Sequence, residues 1–342
     1  MSIPYRALLP RLAAVIIALI GVSIVIFGIA RIMPGDPARI ALGPNASEQQ
    51  VAELRHERHL DQPLPVQYWE YVKALSHGDL GQSLYTNRPV AKDIAQYLPA
   101  TLELIIMSGI IILILGLPIG IISAHFRGRA PDHIARLVAL LGVCTPAFVW
   151  GVILQLVFGY FYPIFPIEGR LTSGLTPPVS HTGFYLIDSL ISGNFTVFAD
   201  SLHHILLPAV ALAMSGMGQV ARMTRSNMIE TYEKPYTEMA RSFGFSPWRI
   251  ATRFAFRPAM IPTLTILGLE FASLLGNAFL VEKVFGWPGI SRYGADVIIQ
   301  KDLDAIVGTV LIIAFAFLFM NIVVDVLVTL VNPRIRLSSR RS

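Results

Sequence analysis

Residues 238 to 249 read EMARSFGFSPWR and lie between two of the most apolar stretches of the chain. Gly244 predicts the end of one short helix, because glycine readily adopts the left-handed conformation that closes many helices. Ser246 and Pro247 predict the start of a second helix, with serine as its N-cap and proline in its first turn. The stretch therefore predicts a small helical segment in two parts.

The two parts of this segment have different predicted faces. Met239, Ala240 and Phe243 are expected on one side of the first helix. In the second helix, an apolar face is flanked by arginines at every fourth position, which are Arg249, Arg253 and Arg257. We expect this second helix to lie along the inner membrane surface with its arginines near lipid phosphates. The first helix is then free to contact a cytosolic protein.

The composition is that of an integral membrane protein. Of 342 residues, 54% are hydrophobic and 14% are charged, with a mean hydropathy of +0.60, whereas soluble domains carry roughly 25% charged residues. The net charge of +5 is spread over positions that flank membrane segments, so nucleic-acid binding is not predicted. The lone cysteine, Cys144, excludes an internal disulfide.

Six apolar stretches are each close to the ~20 residues that a membrane-spanning helix needs. They cover residues about 10 to 31, 102 to 125, 134 to 161, 203 to 225, 259 to 282 and 305 to 330. The predicted fold class is an all-α integral membrane protein with six transmembrane helices. The first stretch is too long for a signal-peptide core and is kept as a span. Four prolines predict kinks or breaks within spans, namely Pro118, Pro146, Pro208 and Pro262.

Lysine and arginine residues concentrate in alternate loops and at both ends of the chain. Because such residues favour the cytoplasmic side, both termini and the segment around 238 to 249 are predicted to be cytoplasmic. The expected organisation is an N-terminal tip and first span at 1–33, an extracytoplasmic helical insertion at 34–98, a core transmembrane domain at 99–332 with a cytoplasmic loop at 231–258, and a basic tail at 333–342.

The insertion at 34–98 predicts a small helical layer outside the membrane. Ser47 with Gln50 resembles a capping box at a helix start. Pro65 is expected in the first turn of a further helix that presents Val66, Trp69, Val72 and Leu75 on one side. The layer also contains Glu53, His56 and His59, but their spacing of three spirals off a common face, so a solvated helix face is favoured over a metal site.

Motifs for catalysis are absent from the sequence. It has no phosphate-binding loop of the type G-x-x-x-x-G-K-[ST], no H-E-x-x-H zinc motif and no G-x-S-x-G nucleophile elbow. A membrane-embedded enzyme would have to use His203 and His204, whose side chains point about 100° apart on a helix, so an interfacial or capping role is favoured. No catalytic, cofactor-binding or metal-binding residue is assigned.

Ionisable groups within membrane spans are costly and usually functional. The candidates for channel lining or helix packing are Glu103, Glu270, Asn321 and Asp325. Glu270 has two interpretations, a hydrogen bond between helices or a residue that lines a pathway and carries protons, and the first is favoured. Gly268, Ala272 and Gly276 flank it and allow a neighbouring helix to approach closely.

The pattern Glu238-Met239-Ala240-x-x-x-Gly244 resembles the "EAA" loop of binding-protein-dependent ABC importer permeases. Downstream, where many members of that family have I-x-L-P, this chain reads Phe254-Ala255-Phe256-Arg257. The dipeptide and oligopeptide permease branch commonly shows the same departure, and further stretches in order along the chain resemble it. They are Met33-Pro34-Gly35-Asp36-Pro37, Gly78-Asp79-Leu80-Gly81 with Ser83, Ala100-Thr101-Leu102-Glu103-Leu104, Pro166 with Gly169-Arg170, Arg222-Met223-Thr224-Arg225-Ser226, Trp287-Pro288-Gly289 with Arg292, and Asn332-Pro333-Arg334.

The resemblance implies one half of a heterodimeric channel in the bacterial inner membrane that imports di- or oligopeptides by alternating access. Its implied partners are a second homologous permease, two cytosolic ATPase subunits that bind ATP and Mg, and an extracytoplasmic solute-binding protein. The loop would form a coupling helix that docks on the ATPase, with the contact made by Glu238, Met239, Ala240, Arg241, Phe243 and Gly244. The solute stays open among dipeptides, oligopeptides, antimicrobial peptides, haem and nickel complexes. The rival hypothesis is a secondary transporter driven by an ion gradient through Glu270 and Asp325.

Overall fold

A computed structural model describes residues 5–32, 37–43, 46–57 and 60–331, and these residues form helices without any β-strand. We number the helices α1 (Tyr5–Ile32), α2 (Pro37–Leu42), α3 (Glu48–Glu57), α4 (Leu64–Ser76), α5 (Val90–His125), α6 (Ala130–Cys144), α7 (Ala147–Phe161), α8 (Tyr185–Ile191), α9 (Phe195–Tyr232), α10 (Pro235–Ser242), α11 (Pro247–Val284), α12 (Ile290–Ile299) and α13 (Leu303–Val331). Three helices contain a π-helical turn, which lies at Ile112–Gly116 in α5, Leu156–Phe161 in α7 and Ile250–Ala255 in α11.

Four helices of the described chain are long and apolar enough to cross a membrane: α5, α9, α11 and α13. The pair α6 and α7 forms a fifth candidate span that is bent by 109°. Helix α1 contributes a shorter apolar stretch, Ala13–Ile29. The all-helical membrane architecture is therefore confirmed, while the described residues provide four or five candidate spans instead of the six expected.

The predicted third span, residues 134 to 161, is broken at Pro146. Thr145 has an extended backbone with φ −101° and ψ 124°, because the ring of a following proline disfavours the helical conformation. The prolines within other spans act differently. Helices α9 and α11 continue through Pro208 and Pro262, and α5 passes Pro118 directly after its π-helical turn.

The chain divides into two compact units, Met1–Pro99 with Gly289–Phe319 and Ala100–Pro288 with Met320–Ser342. In the first unit, α4 packs against α1 through aromatic rings. The Phe27 ring centroid lies 5.3 Å from that of Tyr68 and 5.8 Å from that of Tyr71. Val66 and Trp69, on the side of α4 predicted to be apolar, are exposed. Leu75 from that side packs together with Tyr71 against the buried cluster of Leu303, Val307 and Leu311, so the prediction holds for Leu75 but not for Val66 and Trp69.

The helix starts predicted for this unit are confirmed. At the start of α3, the Gln50 amide donates to Ser47 Oγ at 3.3 Å, and the Ser47 amide donates to Gln50 Oε1 at 3.0 Å. These reciprocal bonds form a capping box. Pro65 lies in the first turn of α4.

Buried carboxylates link the first turn of α5 and the segment before it to later parts of the first unit. Asp93 accepts hydrogen bonds from the Tyr293 hydroxyl at 3.0 Å and from Arg88 at 2.5 Å. Asp302 accepts one from the Ser83 hydroxyl at 2.7 Å. Burial raises the pKa of Tyr293, and its hydrogen bond to Asp93 raises it further, so this hydroxyl stays a donor at neutral pH.

In the second unit, α9 packs against α5, α6, α7, α8 and α11. Glycines permit the closest approaches. A Cβ at Gly120 would lie 2.6 Å from Thr224 Cβ and 2.7 Å from the Ala221 carbonyl oxygen of α9. Gly116 and Gly120, one turn apart in α5, therefore form a close-packing row against α9.

Candidate functional site

Helix α10 ends at the glycine that the sequence singles out. Gly244 has φ +75°. The Phe245 amide donates to the Ala240 carbonyl at 3.3 Å and the Gly244 amide donates to the Arg241 carbonyl at 2.9 Å, which is the Schellman pattern of helix closure. The prediction that Gly244 stops the first helix is confirmed.

One side of α10 is fixed to the end of helix α9 in the second unit. Thr237 is fully buried, and its hydroxyl donates to the Thr231 carbonyl at the end of α9 at 2.9 Å. Ala240, one turn further on, is 2% exposed. The expectation that Ala240 shares a face with Met239 and Phe243 is wrong, because Ala240 is buried with Thr237 on the packed side of α10, whereas Met239 and Phe243 are exposed.

The other side of α10 is exposed. Tyr236, Met239 and Phe243 are 41%, 59% and 72% exposed and follow one another at helical spacing, and we call these three residues the α10 stripe. Glu238 and Arg241 are exposed on the same helix. The helix therefore presents apolar side chains with charged neighbours on a face that the described residues leave uncovered.

The second part of the segment differs from its prediction. Ser246 caps the helix start by accepting from the Arg249 amide at 3.4 Å, as expected. The helix that follows is the beginning of the long helix α11, so it is not a separate surface helix. Its first turns are fixed by small residues, since Ala251, Ala255 and Ala259 form a buried cluster with Ala124 of α5 and Met228 of α9.

The charged side of these first turns agrees with the prediction. The arginines Arg249, Arg253 and Arg257 are all exposed. Trp248 packs edge-on against the His125 ring at the end of α5, with 5.3 Å between ring centroids. Helix α10 thus contacts α9 and the first turns of α11, and α11 in turn contacts the end of α5.

A buried carboxylate fastens the same end of the helix bundle. Asp132, at the start of α6, accepts two hydrogen bonds from Arg225 of α9, from Nε at 2.7 Å and from the guanidinium NH2 at 3.0 Å. It also accepts from the Ser123 hydroxyl at 2.7 Å and from the Gly128 amide at 2.9 Å. Bidentate pairs of this kind are strong and directional, so they hold α5, α6 and α9 in register.

Three of the motifs singled out in the sequence meet at a second buried cluster. Arg170 forms an ion pair with Glu103 at 2.5 Å, and both side chains are buried. The Arg170 guanidinium carbon also lies 3.6 Å from the Tyr185 ring centroid and 5.6 Å from that of Trp287. The Trp287 indole donates to the Ala100 carbonyl at 2.9 Å.

Two more side chains complete this cluster. Glu282 of α11 is fully buried and accepts a hydrogen bond from the Thr101 hydroxyl at 2.5 Å. The second Glu103 oxygen accepts from the Leu186 amide of α8 at 2.8 Å. The cluster therefore ties the loop that carries Arg170 to α5, α8 and the end of α11, and it assigns Glu103 to packing.

Asp188 of α8 holds the preceding loop in place. It accepts hydrogen bonds from the Thr182 amide at 2.9 Å, the Thr182 hydroxyl at 2.8 Å and the Gly183 amide at 2.9 Å. Burial opposes the charged form of the carboxyl, but these hydrogen bonds outweigh it and hold the pKa of Asp188 below its usual value. The loop before α8 is thus shaped around a carboxylate.

Glu270 lies midway along α11, partly buried. A Cβ at Gly216 of α9 would lie 3.3 Å from Glu270 Oε2, so the carboxylate is directed toward α9. The described residues provide it with no hydrogen-bond donor or cation. The small residues around Glu270 differ in how closely other side chains pack on them. A Cβ at Gly268 would lie 2.1 Å from a Val324 methyl, while one at Gly276 would meet nothing within 4 Å.

The remaining residues singled out in the sequence, which are Asn321, Asp325 and the histidines, lie in different parts of the fold. Asn321 is partly buried in α13, and the side chain of Asp325 lies outside the described residues. His204 is buried beside Asp200, with its Nδ1 2.9 Å from the Asp200 carbonyl oxygen, and the His203 ring packs on Phe165. His56 lies beside Asp61, and His59 is not among the described residues. No group of three potential metal ligands occurs in the described part of the chain.

Asp132 and Glu282 are structural residues that the sequence analysis missed. Asp132 follows Pro131 in the first turn of α6, which is a common position for an acidic residue at a helix start. Glu282 precedes Lys283 near the end of an apolar stretch and therefore resembles an ordinary interfacial pair. The burial of both depends on partners that are distant in sequence.

Comparison with known proteins agrees with this arrangement. Residues 116–337 match the family described as binding-protein-dependent transport system inner membrane component. Residues 5–105 match the N-terminal family of the same membrane components. The two matches together cover most of the chain and include the α10 segment.

Similar proteins include the probable D,D-dipeptide transport system permease protein of Escherichia coli (strain K12), which is 41% identical over 95% of this chain and 96% of its own. The dipeptide transport system permease protein of the same strain is 36% identical over 96% of this chain and 98% of its own. The glutathione transport system permease protein of Salmonella choleraesuis (strain SC-B67) is also 36% identical, over 96% and 98%. The chain belongs to the family of inner membrane components of binding-protein-dependent transport systems.

Proposed function

We propose that this chain is the permease subunit of an ATP-driven ABC importer and forms half of a translocation channel for di- and oligopeptides. Family membership supports the transport role. The substrate class is supported by relatives aligned over nearly their full length, whose names refer to D,D-dipeptide, dipeptide and glutathione transport. An ion-gradient-driven secondary transporter is not favoured by this family membership.

The observation that carries the mechanism is the two-sided construction of α10. Its inner side is fixed to α9 by Thr237, and its outer side presents the α10 stripe. A partner that grips the stripe would therefore move α10 together with the ends of the spanning helices. This is the property that a coupling helix needs, and we assign the ATPase contact to the stripe with Glu238 and Arg241 at its edges and Gly244 at its end.

The proposed assembly contains a second homologous permease, two cytosolic ATPase subunits and an extracytoplasmic solute-binding protein. ATP and Mg²⁺ would be held by the ATPase subunits, since this chain has no phosphate-binding loop motif. The chain would lie in the bacterial inner membrane with both termini and α10 in the cytoplasm. Closure of the ATPase pair on ATP would move α10 and open the channel outward.

We assign Glu270 to the translocation pathway. Its carboxylate has no partner among the described residues and lies beside Gly216, where a Cβ would be 3.3 Å from Glu270 Oε2 and 2.6 Å from Ile112 Cδ1. A charged group in a membrane span usually faces a partner helix or a water-filled cavity. A second permease across the channel would provide either environment.

The double variant Met239→Ala, Phe243→Ala tests the coupling role. We expect the ATPase subunits to bind roughly tenfold more weakly, because truncation of exposed apolar anchors at an interface costs about 1–2 kcal/mol or more. The measurement is co-purification of the ATPase in mild detergent, together with ATPase activity stimulated by the binding protein. Val179→Ala is the matched control, since Val179 is 66% exposed on a loop far along the sequence from α10. Unchanged ATPase recovery in the double variant would refute the assignment.

A further inference from the structure

A cavity of about 410 Å³ lies between α5, α6 and α9 in the second unit. This volume is within the ~300–1,000 Å³ range of small-molecule sites in proteins. Its polar lining consists of Ser123, Arg136, Arg222 and Arg225. The coupling role of α10 makes no use of this cavity.

The cavity is positively charged. Asp132 is the carboxylate beside it, and it is bound by Arg225 at 2.7 Å and approached by Arg136 at 3.6 Å. Arg136 also donates to His133 Nδ1 at 2.7 Å, and Arg222 donates to Gln219. Three arginines thus line the cavity, and Asp132 pairs with two of them, Arg136 and Arg225, which leaves an excess of positive charge there.

The lining changes from charged to apolar along the helices. Arg136 lies near the start of α6, whereas Leu140 and Val143 line the cavity further along the same helix. From Arg136 to Val143 the helix rises by ~10 Å. Leu140 is 57% exposed, so the apolar part of the lining is open to the outside. A charged end that grades into an apolar, outward-facing groove matches a phosphate headgroup followed by acyl chains.

We propose that this cavity binds an anionic phospholipid, with its phosphate at Arg136 and Arg222 and its glycerol and upper acyl chains along α6. The charged end is the end from which α10 leaves α9. In the proposed orientation it faces the cytoplasmic leaflet, where basic pockets between spanning helices bind anionic headgroups. Guanidinium groups suit a phosphate because they donate several hydrogen bonds in one plane. Arg225 is already bound by Asp132, so we assign it to holding the site in shape.

The test is native mass spectrometry of the purified transporter complex, titrated with phosphatidylglycerol or phosphatidylcholine. We expect phosphatidylglycerol to bind selectively, and the variant Arg136→Gln, Arg222→Gln to weaken this binding by about 10- to 30-fold, since each basic residue contributes roughly fivefold to anionic-lipid affinity. The double lysine variant should stay within a few-fold of the unchanged protein. The matched control is Arg127→Gln, Arg129→Gln, which removes two charges from the adjoining loop and should leave binding intact.

Three binding results would overturn the proposal. They are equal binding of phosphatidylcholine, unchanged binding in the double glutamine variant, and displacement of the bound lipid by inorganic phosphate alone, which would indicate a phosphate site without a lipid. Cross-linking of Leu140→Cys to the second permease would equally show that a protein covers the groove. The assignment of the charged end to the cytoplasmic leaflet rests on the proposed function. The same mass spectra also show whether the ATPase subunits are bound, so the two proposals can be tested separately. A complex that lacks the ATPase yet binds phosphatidylglycerol selectively would contradict only the proposed function.

Discussion

The ion pair between Glu103 and Arg170 shows how a single residue can fix a loop in a membrane protein. Both side chains are buried, and Arg170 lies against the Tyr185 ring. Neither partner can lose the other without leaving a charge in an apolar environment. The pair therefore serves the geometry of the loop more than it adds to net stability, because the cost of burying two charges offsets much of their attraction.

Removal of one partner is expected to be costly. We predict that Glu103→Gln lowers the free energy of unfolding by about 3–5 kcal/mol, because it leaves the Arg170 charge buried without a counter-charge. Thermal unfolding of the purified complex measures this effect. Glu230→Gln is the control, since Glu230 pairs with Lys234 at 2.9 Å on the surface and such pairs contribute at most about 1 kcal/mol. Equal melting temperatures for the two variants would contradict the account.

Gly244 is required by its backbone conformation and not by crowding. Its φ is +75°, and a Cβ placed there would meet nothing within 4 Å. A β-branched residue in the left-handed region costs roughly 1–2 kcal/mol, whereas asparagine is tolerated. We therefore predict that Gly244→Val reduces ATP-driven transport severalfold with a normal amount of protein in the membrane, while Gly244→Asn retains most transport. Equal transport by the two variants would mean that the end of α10 does not need this conformation.

At the scale of helices, close packing of α9 with its neighbours sets the shape of the second unit. Gly120 lies so near α9 that a Cβ would be 2.7 Å from the Ala221 carbonyl oxygen. Backbone atoms within a packed helix cannot move aside as a flexible side chain can. The glycine is thus part of the contact surface between α5 and α9.

Two glycines in spanning helices allow a matched comparison. We predict that Gly120→Ala lowers the free energy of unfolding by about 1–3 kcal/mol, because the added methyl group forces α5 and α9 apart. Gly276→Ala should be neutral or stabilising by up to about 1 kcal/mol, since its Cβ would meet nothing within 4 Å and alanine favours helix. Thermal unfolding of both variants checks this. A larger loss at Gly276 would indicate that another subunit packs there.

At the scale of the whole molecule, apolar length predicted much of the fold. The stretches 203 to 225 and 259 to 282 lie within α9 and α11, and the end of α10 at Gly244 follows from local backbone preference. Length alone did not predict the bend at Pro146, because a proline within a span can equally be absorbed, as in α9 at Pro208. Apolar length also placed the start of α11 about twelve residues too late, at residue 259. The first turns of α11 are helical but carry polar residues, so they do not belong to the apolar stretch.

The candidate site could be predicted from the sequence only where its residues are contiguous in the chain. The α10 segment is contiguous in sequence, so its helix end and its cap could be predicted from residue types. The cluster around Asp132 joins residues up to 93 positions apart and the cluster around Glu103 joins residues up to 187 positions apart, and no local pattern indicates such pairing. Side-chain exposure within α10 also depended on tertiary contacts, which is why Ala240 was placed on the wrong face.

The most direct test of ATP-driven import through this chain is uptake of a labelled dipeptide by proteoliposomes that contain the complete complex and its binding protein. We predict uptake that requires ATP, the ATPase subunits and the binding protein, and that an imposed proton or sodium gradient alone does not support. The variant Glu270→Gln should keep this dependence on ATP. Uptake that follows the ion gradient without ATP, and that Glu270→Gln abolishes, would contradict the account and identify Glu270 as an ion-coupling group.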